Sequence, residues 1–167
     1  SPGEYPITLA GGFDANYHFI RHGASLIIGE ANQTIDFSGD LTGTYGDAPI
    51  DLNATADSGH SVWYSSSDQA VAEVNGTKLH LRGAGQAIIT AHVDGTGNHN
   101  PADPVERNAT VAKRDLDAYA HDAFRSYGEA NPPLEFHFEG FAAGDGPDEL
   151  EHHPDANTTA TASSSPG

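Results

Sequence analysis

Apolar and polar residues alternate with a period of two along much of the chain, a pattern that predicts β-strands. The clearest case is residues 73–81, where two alternating runs flank Asn75-Gly76, a pair typical of tight hairpin turns. A third run, residues 86–93, follows a break at Gly83-Ala84-Gly85. Residues 115–126 contain enough Ala for a helix, but their apolar positions alternate, so we interpret them as strand and turn.

The whole chain is therefore predicted to be all-β. Further strands are predicted at residues 5–9, 17–20, 25–28, 34–37, 50–54, 62–65, 108–112, 116–120, 134–138 and 158–161. The core is expected around Trp63, Val71, Val74, Leu81, Ile88 and Phe138.

The chain also repeats part of itself. Thr44-Tyr45-Gly46-Asp47 returns 82 positions later as Ser126-Tyr127-Gly128-Glu129, which divides the chain into two modules of about 80 residues, a normal size for a β-sandwich.

Ser1-Pro2-Gly3 opens the chain and Ser165-Pro166-Gly167 closes it. If both tripeptides mark the same place in successive units, the period is 167 − 3 = 164 residues. We then expect the chain to be one period of an array, cut inside a module.

Charge excludes several classes of partner. Lys and Arg number 7 against 24 Asp and Glu, a formal net charge of −17. Such a surface repels phosphate backbones and anionic lipid, so we expect no nucleic-acid binding.

The chain has no Cys, which excludes disulfides and thiolate metal sites. It contains no apolar run near the roughly 20 residues of a membrane span, so we expect no membrane insertion.

Five of the nine Asn residues stand in Asn-x-Thr sequons, which are acceptors for N-linked glycan in secreted proteins. These candidates are Asn32, Asn53, Asn75, Asn108 and Asn157. Compositional bias in a Thr-rich β-protein is the alternative explanation. A glycan layer would solvate strand edges and resist proteases.

Residues 145–155 are the best metal candidate, since hard oxygen ligands of the kind that calcium prefers are concentrated there. Asp145, Asp148, Glu149 and Glu151 are weak calcium candidates, because the segment lacks the spacing of an EF-hand loop. A solvated acidic loop is the plainer interpretation. His152-His153 makes no zinc site without two further ligands.

No pattern predicts catalysis. The chain has ten His residues but no Gly-x-Ser-x-Gly elbow, and we assign no catalytic residue. His60, His80 and His92 are expected on solvated strand faces.

Two segments carry a family resemblance. Residues 65–76 followed by residues 81–91 resemble the bacterial Ig-like repeats of surface adhesins, with Val71-Ala72-Glu73-Val74, a hairpin and Gly83-Ala84-Gly85. Residues 44–49 and 126–132 are similar to the Tyr-Gly-Asp signature of MBG repeats, which alternate with such modules in large adhesins.

This resemblance implies tandem immunoglobulin-like β-sandwich modules, one of them split across the chain ends. Residues 1–31 would be the tail of an MBG-like module, 32–113 a bacterial Ig-like sandwich, and 114–167 the head of another MBG-like module. The tail of one unit would complete the head of the next, so the expected partners are copies of the chain, joined covalently or by strand addition. Short linkers are expected near Ala31-Asn32 and Ala112-Lys113.

The function implied is non-enzymatic: a spacer, stalk or fibre-forming unit of an extracellular, cell-surface adhesin or filament. No cofactor is expected apart from N-linked glycan, and calcium binding is left open. The alternative is a module that binds carbohydrate or a host ligand, with Trp63, Tyr64 and Tyr45 as an aromatic platform. Beyond these aromatic residues, the ligand-binding residues are unknown.

Overall fold

The computed structural model describes residues 1–165, in which strands are the only regular elements apart from one short 3₁₀ helix. The strands are β1 (Gly3–Ile7), β2 (Ala24–Ile28), β3 (Ile35–Asp36), β4 (Thr42–Thr44), β5 (Ile50–Asp51), β6 (Thr55–Ala56), β7 (Trp63–Ser66), β8 (Ala72–Asn75), β9 (Lys78–Leu81), β10 (Gly85–His92), β11 (Val105–Ala112), β12 (Asp117–Ala120) and β13 (Phe136–Glu139); the 3₁₀ helix is Pro147–Glu149. The all-β prediction is confirmed. Of the closing tripeptide Ser165-Pro166-Gly167, Pro166 and Gly167 lie outside the described residues.

The central part of the chain, residues 33–112, has the layout of a β-sandwich. One sheet has the strand order β4-β11-β10-β7 and the other β5-β9-β8, while β3 pairs with β6. Both sheets contribute buried side chains to one core, including Leu79 from β9, Ile89 from β10 and Val111 from β11. Burial of such side chains is the main source of stability for this unit.

Alternation along β10 decides which residues face the core. Ala87, Ile89 and Ala91 are buried, whereas Ile88 between them is 40% exposed. Successive side chains of a strand point to opposite faces, so only one of two adjacent Ile residues can face inward.

The predicted core is corrected at two positions. Leu81 is buried as predicted, and Val71 and Val74 pack partly buried against the core. Trp63 and Ile88 were expected inside, but they are 47% and 40% exposed on the outer face of their sheet. Phe138 is half-buried in β13, outside this core.

Two predicted strands are wrong. Residues 17–20 and 158–161 are irregular, because neither segment lies beside a strand with which its backbone could pair. The predicted hairpin of β8 and β9 is present, but its two loop residues are Gly76-Thr77 instead of the predicted Asn75-Gly76, because Asn75 pairs with Lys78 as the last residue of β8. Gly76 has a φ of +61°, so Gly occupies the first central position of the turn, as in type II′ turns.

Strand β4 runs parallel to β11, the last strand of the sandwich, with Thr44 opposite Ala112. The turn after β4 and the chain leaving β11 therefore lie at the same end of the sandwich. The segment that follows β11 in the chain therefore begins beside the turn that follows β4.

Candidate assembly interface

The N-terminal hairpin presents an uncovered apolar face. Strands β1 and β2 pair antiparallel, which places Tyr5, Ile7, Leu26 and Ile28 on one side. Their exposed fractions are 42%, 47%, 53% and 43%. All residues from 3 to 32 are exposed, so this hairpin lies against no other part of the chain. An isolated two-stranded hairpin is at best marginally stable in water, and an exposed apolar face of this kind typically marks an interaction site.

The C-terminal part, residues 113–165, is also incomplete as a β-unit. It contains one two-stranded sheet, β12 with β13, and Ala142 is its single buried residue. Phe138 contacts Phe136 and Phe141 with ring centroids 5.4 and 5.8 Å apart. Phe124 and Tyr127 are 87% and 67% exposed. The aromatic residues for a core are present here, but the second layer that would cover them is missing from the described residues.

The two ends do not complete each other within one chain. The sheet neighbour of β1 is β2, and that of β12 is β13. Within residues 1–165, no backbone hydrogen bond joins the segment before Ala31 to the segment after Arg114. Both edges of each hairpin therefore keep free backbone donors and acceptors, which can accept another strand.

The Tyr45-Gly46 turn forms the junction between the sandwich and the C-terminal part. The Tyr45 N–H donates to the Ala112 carbonyl over 3.0 Å, which ties the turn to the end of β11. The Arg114 Nε donates to the Gly140 carbonyl over 2.8 Å, and its Nη1 lies 3.7 Å from the Asp47 carboxylate. Gly46 itself packs on Ala142. These contacts fix the direction in which the chain leaves the sandwich.

Tyr45 also interacts with the acidic segment. A hydrogen bond to the Asp145 carboxylate, together with the negative charge of that carboxylate, raises the pKa of the Tyr45 phenol above its ordinary value of 10.0. The groove beside it, about 600 Å³ in volume, is lined by both basic and acidic side chains, including Arg82, Lys113 and Glu151.

The opposite end of the sandwich is held by a buried amide. Gln33, 5% exposed, donates from Nε2 to the Asp94 carbonyl over 3.1 Å and to the Asn100 carbonyl over 2.7 Å, and its Oε1 accepts from the Ser58 hydroxyl. Ala31 forms a parallel bridge with His99. The predicted linker at Ala31-Asn32 is thus hydrogen-bonded through Ala31 to the 94–100 loop of the sandwich.

All five sequon Asn residues, Asn32, Asn53, Asn75, Asn108 and Asn157, are exposed. Asn108 lies on the outer face of β11, opposite Ile88. Asn75 is the last residue of β8 and precedes the hairpin loop. The Asn32 Oδ1 accepts a hydrogen bond from the Asn100 Nδ2 over 3.0 Å, which leaves the Asn32 amide nitrogen, the atom that carries an N-linked glycan, without a role in this bond.

The acidic residues of segment 145–155 are engaged locally. The Glu149 carboxylate accepts from the Gly146 N–H over 2.8 Å, and Asp145 faces Tyr45. Among residues 1–165, no three or more His, Asp or Glu side chains converge in a way that could hold a metal ion. Asp148 and Glu151 are exposed, as is the 152–153 His pair.

The three aromatic residues considered as a binding platform have separate surroundings. The Tyr64 hydroxyl donates to the Leu52 carbonyl over 3.0 Å and accepts from the Ala54 N–H over 2.8 Å, which fixes it in the sandwich. Tyr45 lies at the junction. Trp63 stacks on His92, with ring centroids 4.0 Å apart and an interplanar angle of 15°.

The His residues lie in contacts that the sequence did not indicate. His60, His80 and His92 are half-buried rather than fully solvated, and His60 lies 3.4 Å from His99. On the β12–β13 hairpin, His121 Nε2 and His137 Nδ1 are 2.9 Å apart, and Tyr119 stacks on His137. Cross-strand pairing produces the Tyr119–His137 contact, which only knowledge of the strand register could have revealed, whereas His60 and His99 lie outside the strands.

The comparison with protein families identifies part of the chain. Residues 116–167 match the family described as MBG domain (YGX type), so this segment is an MBG-type repeat. The Tyr127-Gly128-Glu129 turn and both strands of the C-terminal hairpin fall inside the match. Repeats of this family occur in surface proteins, and the family is a structural domain that is not typically enzymatic. A comparison with curated proteins gives no match. Residues 1–165 include no helix long and apolar enough to cross a membrane.

Proposed function

We propose that this chain, whose residues 116–167 are an MBG-type repeat, is a spacer or fibre-forming unit of an extracellular adhesin or filament. Units join head to tail, and the terminal strands of one complete the unfinished module of the next. The observation that carries this proposal is the presence of two uncovered half-modules in one chain: the hairpin β1–β2 and the hairpin β12–β13.

Physical chemistry favours joining the two halves. The N-terminal hairpin lacks a second layer for Tyr5, Ile7, Leu26 and Ile28, and the C-terminal part lacks a layer for its aromatic residues. Bringing them together removes apolar surface from water, which contributes a favourable free energy of about 25 cal/mol for each Å² buried. It also pairs strand edges whose backbone donors and acceptors are otherwise free. The same contacts form whether successive units belong to one long polypeptide or to separate chains.

The junctions suit a stalk that resists bending. At one end of the sandwich Gln33 and Ala31 are hydrogen-bonded to the 94–100 loop. At the other end Arg114 and Gly46 connect the sandwich to the C-terminal part. Short, hydrogen-bonded connections of this kind limit the relative rotation of modules and keep a distal binding part away from the cell.

The surface suits an extracellular location. A net charge of −17 keeps the protein soluble, and the exposed sequons allow N-linked glycan over both the sandwich and the C-terminal part. No cofactor is needed for this function. Calcium at the exposed acidic residues Asp148 and Glu151 would only lower the negative charge.

A carbohydrate-binding module is the second candidate function, and the exposure of Trp63 favours it. The indole is 47% exposed, and its Nε1 donates to Asp94 over 3.2 Å. Sugar rings commonly stack on such aromatic faces. Quenching of Trp63 fluorescence by added oligosaccharide, lost in a His92→Ala variant that removes the stacked ring, would support this function; an unchanged spectrum would exclude it.

Sedimentation velocity of the full chain over a wide concentration range tests the main proposal. We expect a series of species that grows with concentration, since each chain has one donor and one acceptor end. Leu26→Asp, which places a charge on the apolar face of β2, should weaken association at least about tenfold. Ser25→Asp adds the same charge to the opposite face of the same strand and should leave association nearly unchanged. A wild-type chain that stays monomeric at every concentration would refute head-to-tail completion.

A further inference from the structure

The C-terminal part repeats the opening hairpin of the sandwich in the same register. In the sandwich, Asp36 of β3 faces Thr55 of β6. In the C-terminal part, Ala118 of β12 faces Phe138 of β13. Positions 36 and 118 differ by 82 and positions 55 and 138 by 83, so one residue is inserted between the paired strands. The hairpin β12–β13 is therefore the counterpart of β3–β6.

The Tyr-Gly turn is the second matching element. In the first copy, the Asp47 N–H donates to the Thr44 carbonyl over 3.0 Å, and the Asp47 carboxylate accepts from the Thr44 N–H over 2.9 Å. In the second copy, the Glu129 N–H donates to the Ser126 carbonyl over 3.2 Å, and the Glu129 carboxylate accepts from the Ser126 N–H over 3.0 Å.

The central Gly of each turn adopts a positive φ, +81° at Gly46 and +86° at Gly128. Both turns have the glycine that the third position of a type II turn requires. The two turns differ in their surroundings, because Tyr45 is half-buried whereas Tyr127 is 67% exposed.

The N-terminal hairpin corresponds to the closing pair of the sandwich. Strand β10 begins at Gly85, with φ +155°, which faces Val111 of β11. Strand β1 begins at Gly3, with φ +152°, which faces Ile28 of β2. Two residues further, Ala87 faces Ala109 and Tyr5 faces Leu26. Thus β1 matches β10, β2 matches β11, and Ile28 takes the place of Val111.

In the sandwich, β11 has a second neighbour. It pairs in parallel with β4, which leads directly into the Tyr-Gly turn: Thr42 faces Thr110 and Gly43 faces Val111. The matching segment of the C-terminal part, residues 124–126, is not a strand and pairs with none within residues 1–165. A groove of about 260 Å³, lined in part by Phe124 and Tyr127, lies beside it.

We infer that residues 124–126 accept β2 of a second copy as a parallel strand, in the register that β11 takes on β4. This rests on the proposed head-to-tail function and specifies its contact. Phe124 then faces Ile27, Arg125 faces Ile28, and Ser126 faces Gly29. The Tyr127 N–H donates to the Gly29 carbonyl, as the Tyr45 N–H does to Ala112 in the sandwich.

The exposed apolar side chains fit this register, whereas Arg125 takes the core-facing place of Gly43 and keeps its guanidinium on the oxygens of Asn131 and Thr161. In β2, Leu26 and Ile28 face the new core, and Ile27 points to the outer face. Ile27 is 76% exposed and Phe124 is 87% exposed. The register brings these two apolar side chains together on the outer face, where Thr42 and Thr110 meet in the sandwich. A shift by one residue would turn Leu26 and Ile28 away from the core.

Engineered cysteines test the register, because the native chain has no Cys to interfere. A Phe124→Cys chain is mixed with an isotope-labelled Ile27→Cys chain under mild oxidation, and labelled–unlabelled dimers are counted by mass spectrometry. Adjacent strands bring such a pair within disulfide range, so we expect this dimer to form at least about tenfold faster than in the control mixture. The control combines Phe124→Cys with Leu26→Cys, whose side chain points to the other face.

Sedimentation of the same proteins before oxidation separates the two proposals. Concentration-dependent association with no preference for the 27–124 disulfide, seen as equal rates in the two mixtures, would overturn the register and leave head-to-tail assembly in place. Absence of association would overturn both proposals. A preferred 27–124 disulfide in associating chains would support both.

Discussion

Gly46 packs against Ala142 so closely that a Cβ atom at position 46 would lie 2.4 Å from the Ala142 Cβ. This contact joins the sandwich to the C-terminal part, together with the hydrogen bond from Arg114 to Gly140. It explains why the Tyr-Gly turn at this position needs glycine for space as well as for its φ of +81°.

Gly46→Ala should therefore open the junction. The added methyl group cannot fit against Ala142, so the C-terminal part must move and Arg114 must lose its contacts. We expect faster trypsin cleavage after Lys113 and Arg114 in dilute protein. Gly128→Ala is the matched control, because Gly128 has a similar φ of +86° and no atom within 4 Å of the added Cβ. Equal cleavage of the two variants would show that backbone strain alone is responsible.

Adjacent isoleucines in β10 should differ sharply in their contribution to stability. Ile89 is completely buried, so Ile89→Ala should lower the free energy of unfolding by about 2–5 kcal/mol. Ile88 is 40% exposed, and Ile88→Ala should cost less than about 1 kcal/mol. Denaturant unfolding followed by fluorescence of Trp63, the single Trp of the chain, measures both. The reverse order would place the opposite face of β10 inward.

Acid should weaken the sandwich through Asp57. Hydrogen bonds from the Thr34 N–H and hydroxyl, both 2.9 Å, hold the pKa of Asp57 below its ordinary value of 3.8. Because the folded-state pKa is the lower one, this stabilisation is present above the unfolded-state pKa and is lost as pH falls through the folded-state pKa.

Asp57→Asn should accordingly reduce the acid dependence of stability below about pH 4. Asp36→Asn removes the same charge from the neighbouring strand β3 without the Thr34 contacts and serves as the control. Thermal unfolding across an acid pH series would reveal the difference. Parallel curves for the wild type and Asp57→Asn would exclude this role.

Glycan should occupy the exposed sequons in protein from its natural source. We expect mass spectrometry of glycopeptides to find N-linked glycan on at least two of the five sites, with Asn53 and Asn108 among them because both are exposed on the sandwich. Thr55→Ala and Thr110→Ala remove these two sequons and should abolish the corresponding mass shifts. Unmodified peptides at all five sites would mean that the sequons reflect composition alone.

The sequence predicted most strands, including residues 108–112 of β11 whose partner β4 is distant in the chain, and failed at two segments that have no strand partner. The hairpin β8–β9 has its own turn signal at Asn75-Gly76, so its position follows from neighbouring residues. Residues 158–161 carry a similar alternation, but they lie beside no strand and remain irregular.

The inward face of β10 could have been derived from the sequence, because Ile88 shares its face with the polar residues Gln86, Thr90 and His92, whereas Ile89 alternates with apolar residues. The structure selects Ile89, which alternates with the small buried residues Ala87 and Ala91. The junction between Gly46 and Ala142 joins residues far apart in the chain, and no local pattern marks it. The repeated Tyr-Gly turn was visible in the sequence, whereas the missing neighbour of residues 124–126 required the strand register.

Hydrogen–deuterium exchange of the wild-type chain, dilute and concentrated, tests head-to-tail completion most directly. We predict that amides of residues 24–28 and 124–127 become protected together as concentration rises, because each segment pairs with the other in the neighbouring chain. Amides of β10 should exchange at the same rate in both samples, since the sandwich is complete in each chain. Exchange of residues 24–28 and 124–127 that does not change with concentration would contradict the account.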